Sequence, residues 1–242
     1  QFTRRGTRRL LPCFLTQTLG AFNDNVFKNA LVIFVTFGIA GITAAQESLY
    51  VNLAGGLFIL PFFLFSATAG QIAEKYEKSG LIRKVKLFEL LIGVVAAVGF
   101  ALKSLPVLFG VLLLLGLQAT LFGPLKYSIL PQTLQDDELV GGNALVETAT
   151  SLAILLGSLL GGVLIALGHG TQWVSAAVLG IALAGYLASR GIPAAEATAP
   201  DLVIHWNPLT TTWRSPSFKL SGRTVLLAAM CISWYWFFGA VL

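Results

Sequence analysis

Seven apolar runs of membrane-spanning length restrict what this sequence can fold into. A transmembrane helix needs about 20 mostly apolar residues. The seventh run begins near Arg223, and the first six extend from about Leu10 to Ile39, Ser48 to Ile72, Val85 to Leu102, Pro106 to Pro131, Val140 to Leu167 and Trp173 to Ala188. Only 11% of the residues are charged, less than half the ~25% of an average soluble domain. We therefore predict an all-α integral membrane protein.

Basic residues alternate along the connecting loops. The loops on one predicted side, around residues 41–47, 103–105 and 168–172, hold only Lys103. The loops on the other side hold Arg4, Arg5, Arg8, Arg9, Lys75, Lys78, Arg83, Lys84, Lys86, Arg190, Arg214, Lys219 and Arg223. Because cytoplasmic loops are rich in Lys and Arg, we predict a multi-pass protein with a cytoplasmic N-terminus. The net charge of +5 belongs to these loops beside an anionic leaflet, so nucleic acid is not a predicted partner.

A proline-rich stretch divides the chain. It predicts three parts: a six-helix transporter half at 1–190, a cytoplasmic linker at 191–222, and a seventh transmembrane helix at 223–242 that belongs to a truncated fragment. Within the linker, Trp206 to Trp213 mixes aromatic and polar residues; it lies in the membrane interface or forms part of a solvated connector. Six helices, a linker and a seventh helix are the layout of a six-plus-six transporter cut just after its midpoint.

The first apolar run contains a polar stretch, Phe22–Asn29. Asp24 and Lys28 are spaced i, i+4, so they share a helix face and are able to pair, and Asn25 and Asn29 form a second polar stripe beside them. A charge at the centre of a spanning helix costs ~2.5–3.5 kcal/mol. We predict that Asp24, Asn25 and Lys28 line a central cavity near the bilayer midplane. The alternative is a self-neutralising pair that locks helix one to its neighbours.

A second polar layer is predicted nearer the cytoplasm. Lys126 on helix four and Glu147 on helix five lie at similar depth, counted from the ends of their helices. They are predicted either to pair and tie the two helices together or to contact substrate in the cavity. On helix five, the spacing of Gly157 and Gly161 permits close helix packing.

The sequence contains no recognisable catalytic, cofactor or metal motif. Cys13 and Cys231 lie in or beside apolar runs and are interpreted as small buried hydrophobes. We predict no catalytic residue, no cofactor and no metal site, so this stretch of chain is not an enzyme.

The turn between helices two and three resembles that of the major facilitator superfamily. The matching residues are Gly70-Gln71-Ile72-Ala73-Glu74-Lys75, followed by Arg83-Lys84, with Glu74 where the superfamily usually has Asp. The resemblance implies the N-terminal six-helix bundle of such a transporter plus the seventh helix. It also implies that Gly70, Glu74, Arg83 and Lys84 form a loop that holds one conformation against the C-terminal transporter half.

Three further motifs resemble the lysophospholipid transporter branch of that superfamily: Phe22-Asn23-Asp24-Asn25, Gly123-Pro124-Leu125-Lys126-Tyr127 and Asn143-Ala144-Leu145-Val146-Glu147. The likeness is strongest to bacterial proteins in which such a transporter is fused to a glycerophospholipid acyltransferase. It implies transfer of lysophospholipids from the outer to the inner leaflet of a bacterial inner membrane, for reacylation by the fused enzyme. It also implies that Asp24 and Lys126 engage the headgroup, with membrane lipids, the C-terminal half and the acyltransferase as partners.

Two other functions remain open from the sequence. One is a proton-coupled exporter of small amphiphilic molecules, in which Asp24 or Glu147 titrates. The other is a non-transporting membrane anchor domain of an acyltransferase. Charged side chains inside a spanning helix argue against a plain anchor, because an anchor has no need of them.

Overall fold

A computed structural model describes residues 4–39 and 41–206, together with 227, 230, 231, 233 and 234. In this part of the chain the secondary structure is entirely helical, in agreement with the predicted all-α class. The six helices are α1 (Arg4–Gly38), α2 (Ala44–Lys75), α3 (Lys78–Ala101), α4 (Leu105–Thr133), α5 (Leu139–Ala166) and α6 (Gly170–Ser189). Most of the predicted seventh helix and of the linker after Trp206 lies outside the described residues.

Four of these helices, α2, α4, α5 and α6, are long and apolar enough to cross a membrane. The described chain is therefore a multi-pass membrane protein. The other two helices, α1 and α3, contain 35 and 24 residues, which is also sufficient length at about 1.5 Å per residue. They are less apolar than the other four helices. Asp24 is a buried charged residue on α1, and Lys86 and Glu89 are buried charged residues on α3.

The central helix is α1, which packs most extensively against α5 and α6 and also contacts α2 and α4. A Cβ at Gly157 or Gly161 of α5 would overlap the backbone oxygens of Phe22 and Val26 on α1. The close packing predicted from the two glycines is thus confirmed, with α1 as the partner helix. On another side of α1, Phe27 makes an edge-on contact with Phe100 of α3, with ring centroids 5.6 Å apart.

The chain from 1 to 204 forms one compact unit and the chain from 205 to 242 forms another. In the first unit, the α2–α3 turn lies beside the chain that follows α6, because the amides of Thr198 and Ala199 donate to the backbone oxygen of Glu74. The outer faces of the helices expose large apolar side chains such as Phe63 and Leu159, as lipid-facing surfaces do. In the second unit, the described residues 227, 230, 231, 233 and 234 are helical.

Candidate functional site

A buried ion pair on α3 forms the centre of the polar interior. Lys86 Nζ lies 2.6 Å from Glu89 Oε2, and the two side chains are 0% and 1% exposed. Gln118 of α4 donates to the same oxygen at 3.0 Å, and Asn23 of α1 donates to Glu89 Oε1 at 3.2 Å. Glu89 therefore accepts hydrogen bonds from three helices. We call Asn23, Lys86, Glu89 and Gln118 the Glu89 cluster.

The ammonium of Lys86 packs closely against the backbone of α1. A Cβ at Gly20 would overlap Lys86 Nζ, so a glycine at this position of α1 allows the ammonium to approach the helix. The same nitrogen lies 4.8 Å from the ring centroid of Phe122. These contacts hold a positive charge between α1, α3 and α4, where water does not reach it.

Asp24 lies next to Asn23 on α1 and is only 8% exposed. Its Oδ1 has no hydrogen-bond partner among the described residues. The predicted role of Asp24 in lining a central cavity stays a prediction. A buried acceptor without a partner is costly, so this oxygen is a candidate for contact with a substrate group or a proton.

Lys28 does not pair with Asp24 in the structure. Its Nζ lies 4.3 Å from the ring centroid of Phe58 on α2, and no described residue forms an ion pair with Asp24 within 4.0 Å. Helical spacing places the two side chains on one face, but the Lys28 side chain turns towards the aromatic ring instead. Asp24 and Lys28 thus form no direct ion pair, although each charge still acts on the other; cavity lining and helix locking both stay predictions.

The second polar stripe of α1 faces α5. Asn25 Nδ2 donates to the backbone oxygen of Ala21 at 2.7 Å, and Asn29 Nδ2 donates to the backbone oxygen of Ser158 on α5. Asn25 is 8% exposed. Its predicted contact with substrate stays a prediction, since the structure places it in a helix–helix interface.

The second polar layer joins α4 and α5, as predicted. Lys126 Nζ lies 3.4 Å from Glu147 Oε1, and the hydroxyl of Tyr127 donates to the same oxygen at 2.5 Å. Lys126 Nζ is also 3.5 Å from Thr150 Oγ1. The side chains of Lys126 and Glu147 are 13% and 46% exposed, so this pair opens to the surface of the helical unit.

The two ion pairs differ in the free energy that is lost when one partner is removed. Removing one partner of a buried pair such as Lys86–Glu89 costs about 3–5 kcal/mol, because it leaves an uncompensated charge. A solvent-exposed pair contributes only about 0–1 kcal/mol. The Lys126–Glu147 pair lies between these two cases, because Lys126 is only 13% exposed while Glu147 is 46% exposed. It can therefore exchange its mutual contact for a charged ligand at a lower cost than the Glu89 cluster.

The predicted conformational loop lies around the α2–α3 turn. The guanidinium of Arg83 donates to the backbone oxygen of Ile192 at 2.9 Å, and the backbone oxygen of Glu74 accepts from the chain beyond α6. Lys84 is exposed, and the space around Gly70 is open. Arg83 and Glu74 thus contact their own half of the molecule.

The prediction that Lys78 and Lys86 belong to a loop was wrong. Both are buried helix residues, because α3 begins at Lys78 rather than near Val85. The carboxylate of Glu77 caps this helix by accepting from the backbone amides of Ser79 and Gly80 at 3.0 and 2.7 Å. Glu89 was missed altogether, although it is a carboxylate inside an apolar run, the same signal that identified Asp24.

The chain is similar in sequence to several lysophospholipid transporters. The chain is 31% identical over 226 residues to the lysophospholipid transporter LplT of Salmonella heidelberg, an alignment that covers 93% of this chain and 50% of the relative. It is 27% identical over 241 residues to LplT of Cronobacter sakazakii, with 92% and 55% coverage. Klebsiella pneumoniae LplT matches at 28% over 248 residues, again with 92% and 55% coverage.

These matches confirm the resemblance to lysophospholipid transporters that the motifs predicted. The chain spans about half the length of the curated relatives it matches. None of the known family models matches it.

Proposed function

We propose that this chain forms one half of a carrier that moves lysophospholipids from the outer to the inner leaflet of a bacterial inner membrane, where they are reacylated. The observation that carries the proposal is the partly exposed Lys126–Glu147 pair, a charged contact that reaches the surface of the helical unit. The names of the relatives support it, because they are lysophospholipid transporters.

A lysophospholipid combines a charged headgroup with a single acyl chain. The Lys126 ammonium would bind the phosphate, and the Glu147 carboxylate would accept from the amine of a zwitterionic headgroup. Tyr127 already donates to Glu147, so the carboxylate keeps one partner when Lys126 turns to the ligand. The acyl chain would lie against exposed apolar side chains of α5 such as Leu155.

Asp24 and Lys28 would act deeper along the same path. Asp24 has a buried oxygen without a partner, and Lys28 contacts a ring rather than a carboxylate. Both charges are therefore available to a headgroup that leaves the second layer. Asn25 would keep α1 and α5 at the distance that this path requires.

The proposed orientation places the N-terminus and the α2–α3 turn in the cytoplasm. Exposed Lys84 and Arg190 belong to the end of the unit that holds this turn, while Lys103 lies in the turn between α3 and α4. This asymmetry follows the positive-inside rule. The C-terminal transporter half and a fused acyltransferase are the partners that the proposal requires, and Gly70, Glu74, Arg83 and Lys84 would face that half during the transport cycle.

The decisive experiment is Lys126→Ala in the whole protein, reconstituted in proteoliposomes. We expect transfer of lysophospholipid between leaflets to fall at least about tenfold, as expected when a charge-assisted contact is lost. Lys103→Ala is the matched control, because Lys103 is an exposed lysine in the turn between α3 and α4, outside the layer. Unchanged transfer by Lys126→Ala at normal expression would remove Lys126 from the site and the proposal would lose its main support.

A second candidate function is a proton-coupled exporter of small amphiphiles. It is favoured by the unpartnered Oδ1 of Asp24, since protonation is one way to satisfy a buried carboxylate. Transport that follows an imposed pH gradient and does not require lysophospholipid would support this candidate. A non-transporting anchor would explain neither polar layer.

A further inference from the structure

The chain segment that follows α6 is hydrogen-bonded to the α2–α3 turn through its backbone. The amides of Thr198 and Ala199 both donate to the backbone oxygen of Glu74 at 3.0 Å. The amide of Lys78 donates to the backbone oxygen of Ala195 at 2.9 Å. These bonds attach residues 192–199, which have no helix or strand of their own, to the junction of two helices.

Two charged side chains of the turn add to this attachment. Lys78 is fully buried, and its Nζ donates to the backbone oxygen of Glu196 at 2.9 Å and to Thr198 Oγ1 at 2.6 Å. The Glu77 carboxylate accepts from the amide of Ala195 at 3.2 Å. Lys78 therefore depends on this segment for its hydrogen bonds, since a buried ammonium needs partners.

The same segment covers an apolar cluster. Ile192 and Ala195 are 2% and 4% exposed and pack in one cluster with Cys13, Ile82 and Leu125. Cys13 is itself only 2% exposed. The segment thus closes one end of the unit over parts of α1, α3 and α4, and Cys13 is a natural reporter of that closure.

We propose that residues 192–199 are a detachable clasp, which holds the α2–α3 end of the unit closed and opens that end when it is released. A segment with few buried side chains and no secondary structure belongs to the least stable parts of a fold. Its bonds fall on the junction of α2 and α3, with Glu74 at the end of α2 and Arg83 in the second turn of α3, and the guanidinium of Arg83 also donates to the backbone oxygen of Ile192.

Alkylation of Cys13 tests the clasp in the whole protein. The parent variant carries Cys231→Ser and replacements of any other cysteines, so that Cys13 is the single thiol, and it is held in lipid nanodiscs. The probe is a water-soluble maleimide, and the rate of labelling is followed by mass spectrometry. We expect Lys78→Met to speed labelling at least about tenfold, because it removes two hydrogen bonds of the clasp while the thiol itself is unaltered.

Two further variants make the result specific. Thr198→Val keeps the shape of the side chain and removes one acceptor of Lys78, so we expect a smaller increase and no effect on folding. Lys103→Met makes the same chemical change as Lys78→Met at an exposed position in the turn between α3 and α4, and it should leave the labelling rate unchanged.

Equal labelling rates in the parent, Lys78→Met and Thr198→Val would overturn the proposal. Hydrogen exchange separates local release from general loss of structure. Faster exchange confined to the amides of Lys78, Ala195, Thr198 and Ala199 supports the clasp, whereas faster exchange throughout the six helices refutes it. No lipid substrate enters these assays, so their outcome is independent of whether the protein transports lysophospholipids.

Discussion

Glu89 and Lys86 form an ion pair with an oxygen–nitrogen separation of 2.6 Å, and neither side chain is exposed. Each carboxylate oxygen of Glu89 also accepts from an amide side chain of another helix. The pair therefore joins α1, α3 and α4 at one point, next to the buried carboxylate of Asp24. Its burial makes it a structural element whose two charges depend on each other.

This dependence predicts that two substitutions are milder than one. Lys86→Met leaves the Glu89 carboxylate buried without its counter-charge, so we expect a loss of about 3–5 kcal/mol of stability. Lys86→Met combined with Glu89→Gln removes both charges and keeps an acceptor for Asn23, so most of that loss should be recovered. Thermal unfolding of the purified variants in detergent measures the difference. A double variant that is less stable than Lys86→Met would show that the charges are not coupled.

Packing predicts opposite effects on stability when alanine replaces Gly161, in the contact between α5 and α1, or Gly180, in open space on α6. A methyl group at Gly161 would overlap the backbone oxygen of Val26, while nothing lies within 4 Å of the same position at Gly180. Gly161→Ala should therefore destabilise the protein by about 1–3 kcal/mol through overpacking. Gly180→Ala should be neutral or stabilising by up to about 1 kcal/mol, because alanine favours the helix. Unfolding temperatures that shift in the same direction would contradict the packing.

Much of the fold follows from the apolar runs, because lipid requires long helices with satisfied backbone groups. The structure differs from the prediction where a helix extends past its apolar run. At the start of α3, Lys86 was assigned to a loop by its charge, but the Glu77 cap starts the helix two turns earlier than predicted. Spacing along one helix also gives no information on neighbouring helices, which is why it allowed Lys28 to pair with Asp24 but did not place Lys28 over the ring of Phe58.

One part of the polar interior could be predicted from the sequence, and the docked segment after α6 could not. Lys126 and Glu147 could be matched because both depths are counted from helix ends that the sequence marks. The clasp at 192–199 could not be predicted, because it belongs to the stretch 191–222, whose four prolines are typical of a solvated linker. Its docking depends on Ile192 and on the buried Lys78, whose positions are set by tertiary packing.

The cap of α3 predicts a response to acid. Burial tends to raise the pKa of Glu77, but the hydrogen bonds from Ser79, Ala195 and Gly80 outweigh it and hold the pKa below its ordinary value of 4.5. A lowered pKa in the folded state means that Glu77 contributes its full stabilisation above the unfolded pKa and loses it as pH falls through the folded value. Glu77→Gln cannot titrate at this position.

We therefore expect the unfolding temperature of the parent to fall more steeply below about pH 4.5 than that of Glu77→Gln. The two proteins should show the same slope between about pH 6 and 7, where the carboxylate is ionised in both the folded and the unfolded state. Parallel curves over the whole range would show that Glu77 is not linked to folding. Glu196→Gln is a suitable control, since the side chain of Glu196 is exposed and only its backbone oxygen accepts from Lys78 and Gln132.

The pair of Lys126 and Glu147 allows structural pairing to be separated from contact with substrate. Lys126→Glu alone places two carboxylates together, so both stability and transfer of lysophospholipid should fall. The exchange Lys126→Glu with Glu147→Lys restores opposite charges across α4 and α5. It should recover most of the stability that Lys126→Glu loses, because the two positions again carry opposite charges. It should not recover transfer, because the ammonium then lies on α5, where it meets the other end of a zwitterionic headgroup. Transfer that returns to the parent rate in proteoliposomes would instead assign the pair to tying the two helices together, and the headgroup would have to be bound elsewhere.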